Sequence, residues 1–137
     1  MPWTLYDFID LRGRNQVSLW IDDLETRMQA RLKAKLQTIR TAGPALPPGM
    51  VTPTPGQRHV QEIVFGGRAG AFRLFLCRSP GNPLSELTLL CGGQEKDNRY
   101  LTNRHNHTPA HAEEFRKQLI LNVTERQRKH EFFIFLG

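Results

Sequence analysis

Arg73 stands in the middle of an otherwise apolar run, Phe72, Leu74, Phe75 and Leu76. A guanidinium on a sheet surface is unfavourable unless it is paired or binds an anion such as phosphate. Two readings are open for it, a phosphate ligand or an ion-pair partner for Glu62 on the preceding apolar run. Lys96 and Arg99 follow Gly92-Gly93, where a backbone without side chains lets a phosphate come close; each also suits a merely solubilising charge beyond a strand end. Arg68, in a glycine-flanked turn, is either a phosphate contact or a solvated turn charge. The ring of Tyr100 can stack on a base or cover a core. His105, His107 and His111 are spaced H-x-H-x3-H, which suggests a metal site, although no fourth ligand is defined and two of the three lie on a loop. Without a metal, any of them titrates in the range useful for acid–base work.

Positioning these side chains requires a sheet. Val60 to Phe65, Ala71 to Cys77 and Leu84 to Cys91 are short β-rich runs, separated by Gly66-Gly67 to Gly70 and by Ser79 to Pro83, and they read as consecutive antiparallel strands. Trp3 to Ile9, ending at Arg12-Gly13-Arg14, reads as an edge strand closed by a turn. From Asn15, a capping residue, the apolar positions Val17, Trp20, Ile21, Leu24, Met28, Leu32, Leu36 and Ile39 recur at helical spacing. They predict one long helix or a helical hairpin broken near Glu25-Thr26. Gly43 to His59 holds five prolines and predicts an irregular connection. Thr108-Pro109 opens a helix predicted to run to about Arg128, and Phe132 to Leu136 reads as a final strand or packed tail. The expected fold is a two-layer α+β domain spanning residues 1–137, in which the N-terminal strand and helical hairpin pack on an antiparallel sheet and a C-terminal helix follows.

Composition narrows the functional classes. The 137 residues carry 19 Lys plus Arg against 13 Asp plus Glu, a net charge of +6, with a pI near 9.9, a balance that favours polyanionic or acidic partners. Cys77 and Cys91 each lie in an apolar run without a zinc spacing and read as reduced core thiols. The chain lacks a leader-like N-terminus and any apolar segment of membrane-spanning length, so a cytoplasmic protein is expected, with no membrane association.

Several strings together resemble the RelE/HigB superfamily of type II toxins, in particular its addiction-module killer branch. They are Gln29-Ala30-Arg31-Leu32-Lys33-Ala34-Lys35-Leu36, the pair Glu62-Ile63-Val64 and Gly70-Ala71-Phe72-Arg73-Leu74-Phe75, and Leu89-Leu90-Cys91-Gly92-Gly93-Gln94-Glu95-Lys96. The last string is the most specific, and the match covers most of the chain. The chain departs from the pattern at Val64, where the family has an arginine, at Phe72, where it has a tyrosine, and in its longer C-terminal part from Arg104. The resemblance implies a metal-independent endoribonuclease that cleaves messenger RNA on the ribosome, without a cofactor, and is silenced by a cognate antitoxin, expected to be of helix-turn-helix type. It implies Arg73, Lys96 and His130 as the catalytic set, and the residue types described above add Arg68, Arg99 and Tyr100 as expected substrate contacts. His130 rests on its position after the last helix; a histidine there also suits the negative end of a helix dipole. The alternative within the same fold is a ParE-like inhibitor of DNA gyrase that performs no catalysis, and a third reading is a degenerate member that only binds RNA or protein.

Overall fold

The computed structural model describes residues 2–46, 48–67 and 70–131. Its elements are β1 (Thr4–Phe8), α1 (Gln16–Asp22), α2 (Thr26–Ala42), β2 (Thr52–Thr54), β3 (Gln57–Gly67), β4 (Gly70–Arg78), β5 (Glu86–Lys96), β6 (Arg99–Tyr100), α3 (Pro109–Leu121), α4 (Val123–Arg126) and β7 (Gln127–Lys129). The sheet order is β2-β3-β4-β5-β1-β7, with β6 added to β5. It is a mixed α and β protein.

The helical hairpin breaks where the apolar spacing suggested. The Asn15 side chain caps α1 by accepting from the Ser18 amide, and Met28, Leu32, Leu36 and Ile39 form the buried stripe of α2. Thr108 and Pro109 begin α3 with a capping box in which the His111 side chain accepts from the Thr108 amide. That helix stops at Leu121, short of the expected Arg128. The Asn122 side chain then caps a single turn, and the chain re-enters the sheet as β7. The expected tail strand, Phe132 to Leu136, lies outside the described residues.

Two sheet features differ from expectation. First, β1 is an interior strand: it runs parallel to β5, with Leu5 opposite Leu87, and antiparallel to β7. The sheet is therefore mixed rather than wholly antiparallel, because β1, set between β5 and β7, buries Leu5 in one apolar cluster and Phe8 in the other. Second, both faces of the sheet carry apolar clusters. Trp20, Ile21, Leu32 and Leu36 of the hairpin pack on Ile63, Phe65, Leu74, Leu76 and Leu89. Ala112 and Leu119 of α3 pack with Phe8, Phe75, Cys77 and Cys91 on the other. Alternation along β4 separates the two sets. In β5 the pairing shifts so that Phe75 faces Cys91 while Leu76 faces Leu89, leaving Leu90 as a bulge residue. Helices thus cover both faces instead of one.

β5 is the hub of the domain. β4 runs along one edge of it. Along the other edge, β1 takes residues 86–89 and β6 takes Glu95 and Lys96. Residues 101–107 continue beside it, with the Leu101 and His107 amides donating to the carbonyls of Gln94 and Gly92. Both cysteines are buried and unpaired, and burial pushes the Cys77 thiol up to about 12.

Candidate functional site

One end of the sheet gathers most of the candidate residues. The β3–β4 hairpin and the β5–β6 hairpin turn there side by side, since Ala71 is opposite Glu95 and Lys96 is opposite Arg99. Asp97 and Asn98 both take left-handed φ values, 53° and 63°, as a two-residue hairpin turn requires. This Asp-Asn pair was the sequence signal for β6, in a stretch that otherwise reads as loop.

Arg73 projects from β4 between the two hairpins. Its guanidinium donates to Glu62 of β3, and to Glu95 of β5 at 3.2 Å. Glu62 is almost fully buried, 2% exposed, whereas the Arg73 and Glu95 side chains reach the surface at 20% and 30%. The ion-pair reading of Arg73 therefore holds, extended by a second carboxylate. Burial acts to lower the Arg73 pKa, but Glu62 and Glu95 outweigh it and the net shift is upward. Tyr100 completes the group, its ring 6.2 Å from that of Phe75. Burial raises its phenol pKa, against the opposing pull of Arg73, so at neutral pH it is a protonated donor. Lys96 and Arg99 are exposed on the adjoining hairpin. Glu95 is the member that the motif reading missed. Arg68 lies outside the described residues.

Gly92 and Gly93 do not offer the open backbone suggested for phosphate approach. A Cβ on Gly92 would lie 2.0 Å from the Trp20 ring, and one on Gly93 would lie 2.2 Å from the His107 carbonyl oxygen. Both glycines make room for packing, one on each face of β5.

His130 is elsewhere. Its amide donates to the Leu5 carbonyl, and its Nδ1 lies 2.7 Å from Asp7 Oδ1 in a buried pair. Asp7 also accepts from the Asn15 side chain. Leu5 faces Leu87, six residues before Gly93, the residue opposite Arg73; at about 3.3 Å per residue this is roughly 20 Å along the strands. The structure thus brings Arg73, Glu95 and Tyr100 together at this sheet end, sets Lys96 and Arg99 in the same hairpin but on its other face by strand alternation, and leaves His130, buried rather than exposed at a helix end, outside the group.

The three loop and helix histidines serve separate neighbours. His105 Nδ1 lies 2.7 Å from Asp23, His107 Nε2 lies 3.2 Å from Gln16, and His111 closes the α3 cap. Among the described residues no group of His, Cys, Asp or Glu is arranged to hold a metal ion. Gln16 in turn donates to Asp10. Asp10 keeps a carboxyl pKa below the ordinary value despite burial, because Gln16 and the Arg14 and Arg12 amides bond its charged form.

Burial, reinforced by His111, pulls the His107 pKa down from 6.5 to about 4. The folded chain holds this imidazole neutral while the unfolded chain protonates it near pH 6.5, so stability is lost as pH falls from about 6.5 to about 4. With its partial exposure discounted, the loss is about 2 kcal/mol. Urea denaturation at pH 7 and near pH 4 checks this, the expected result being a shallower acid loss in His107→Gln than in the parent. Equal losses in both proteins would show that His107 does not contribute.

Among the described residues no helix is long and apolar enough to cross a membrane. No family model, curated protein or solved structure matches the chain.

Proposed function

We propose that this chain is the toxin of a type II toxin–antitoxin pair, a metal-independent and ribosome-dependent endoribonuclease that acts on messenger RNA in the cytoplasm. The observation that carries the reading is the grouping of Arg73, Glu95 and Tyr100 at one sheet end, in a hairpin whose other face carries the exposed cations Lys96 and Arg99. The strings that resemble the RelE/HigB family, in α2, in β3 and β4, and in β5, include Arg73, Glu95 and Lys96, the last residue of β5; Tyr100 and Arg99 follow in β6.

RNA cleavage without a metal requires a base for the 2′-hydroxyl, charge stabilisation at phosphorus and a proton for the departing 5′-oxygen. In this scheme Glu95, partly exposed beside Arg73, takes the 2′ proton as that oxygen bonds to phosphorus. Arg73 holds the phosphate, Lys96 and Arg99 at the hairpin tip draw in the flanking RNA backbone, and Tyr100 donates toward the 5′-oxygen as the phosphorus–oxygen bond breaks. The products are a 2′,3′-cyclic phosphate and a free 5′-hydroxyl. His130 has no part in this scheme. A cognate antitoxin, of helix-turn-helix type by the resemblance, would silence the toxin by covering its basic face.

Induced expression tests the proposal. The expected result is growth arrest with new messenger ends, mapped by primer extension, at codons held on ribosomes. Lys96→Ala/Arg99→Ala, exposed positions that leave the fold intact, should lower cleavage by about 100-fold. Growth unaffected by the parent chain, or undiminished toxicity of this double variant, would refute it.

A second reading, a non-catalytic inhibitor of DNA gyrase of the ParE kind, is favoured by the two carboxylates already engaged by Arg73. It predicts loss of gyrase supercoiling activity and intact messengers.

A further inference from the structure

A cleft of about 790 Å³ opens on the opposite face of the sheet, between the α1–α2 hairpin and residues 101–106. Its size falls within the range of small-molecule sites. The lining divides into two chemistries. Leu24, Met28 and Phe72 supply an apolar floor, and Arg27, Arg31 and Arg104 bring three guanidinium groups to the same space. Arg31 donates to the Gly66 carbonyl. No carboxylate pairs with any of the three among the described residues, although Asp23 and Glu25 also line the cleft. Asp23 is engaged by His105 at 2.7 Å.

Two further features add positive potential. The first turn of α2 opens beside the cleft, and no side chain caps it, so its amides present the positive end of the helix dipole. The helix itself carries five cations and no carboxylate. Arg104 adopts a left-handed backbone, φ 55°, unfavourable for a residue with a side chain and a recurrent mark of functional positions.

We propose that this cleft binds a small phosphorylated ligand of nucleotide size, its phosphates against Arg27, Arg31 and Arg104 and its planar or apolar body on Leu24, Met28 and Phe72. Guanidinium groups match phosphate through paired donors, and the floor rewards a ligand that carries more than an anion. The site is separated from the Arg73 group by the sheet and does not depend on the reading of that group.

Calorimetric titration of the full chain with ATP, AMP and pyrophosphate tests this. Saturable binding of ATP or AMP is expected, with pyrophosphate weaker. Arg27→Ala/Arg104→Ala, at exposed positions, should weaken binding by about tenfold or more. Three outcomes would overturn the proposal: no saturable binding of ATP or AMP, an unaltered affinity in Arg27→Ala/Arg104→Ala, or pyrophosphate binding as tightly as ATP. Binding of a short RNA without ATP or AMP would replace it with a polymer-binding surface.

Discussion

Arg73→Ala is expected to destabilise the fold by about 3 kcal/mol, before any effect on activity is considered. Its removal strands the Glu62 carboxylate, 2% exposed, beneath the sheet surface without its cation. Glu95 suffers less, because water reaches it. A carboxylate buried without a partner either stays charged at a large solvation penalty or takes up a proton. The second change that relieves the first is therefore predictable: Arg73→Ala/Glu62→Leu should recover most of the loss, since a buried ion pair and an apolar replacement of both members are often close in stability. Denaturation of the single and double variants measures this directly. If the single variant matched the parent, Glu62 would not depend on Arg73.

The same pair of variants separates folding from function. Loss of toxicity in Arg73→Ala alone has two explanations, a missing phosphate ligand or an unfolded chain. In the stabilised double variant only the first remains. A double variant as folded as the parent and inactive supports a direct role for the guanidinium, whereas one that is folded and fully toxic removes Arg73 from the mechanism.

How far the sequence disclosed this arrangement depended on how local each determinant was. The α2 stripe was legible because Met28, Leu32, Leu36 and Ile39 repeat at the helical period. The α3 start was legible because Thr108 and Pro109 are adjacent. The Arg73 to Glu62 pair was legible because a tight hairpin brings neighbouring strands into register. Glu95 was not, since its position against Arg73 depends on the pairing shift at Leu90, which no short pattern signals. Nor was the interior place of β1 legible, because parallel pairing across the intervening hairpin and strands is decided by burial of Leu5 and Phe8 between distant elements. His130 was misplaced for the same reason: β7, which carries it back to β1, is three polar or charged residues long and has no β signature of its own. Gly92-Gly93 was visible as a motif, yet its reason, room for Trp20 and for His107, lies 72 and 14 residues away in the chain.

That reason makes Gly92→Ala the second variant of large effect. The added methyl would sit 2.0 Å from Trp20 Cδ2 and 2.2 Å from Cε3, far inside contact distance, so the ring or β5 must move. Trp20 has little room to yield. It is 2% exposed, its indole N–H donates to Asn106 at 3.0 Å, and the rings of Phe65 and Phe72 lie 6.0 and 6.5 Å away. The opposite edge of β5 is fixed by β4, where Leu74 is paired with Gly92. Overpacking of this kind is expected to cost about 3 kcal/mol and to lower the melting temperature by about 10 °C. A smaller ring partner should relieve it, so Gly92→Ala/Trp20→Leu should be less destabilised than the sum of its two single changes. Additive losses would show instead that the glycine is needed for backbone conformation and not for the indole that lies against it.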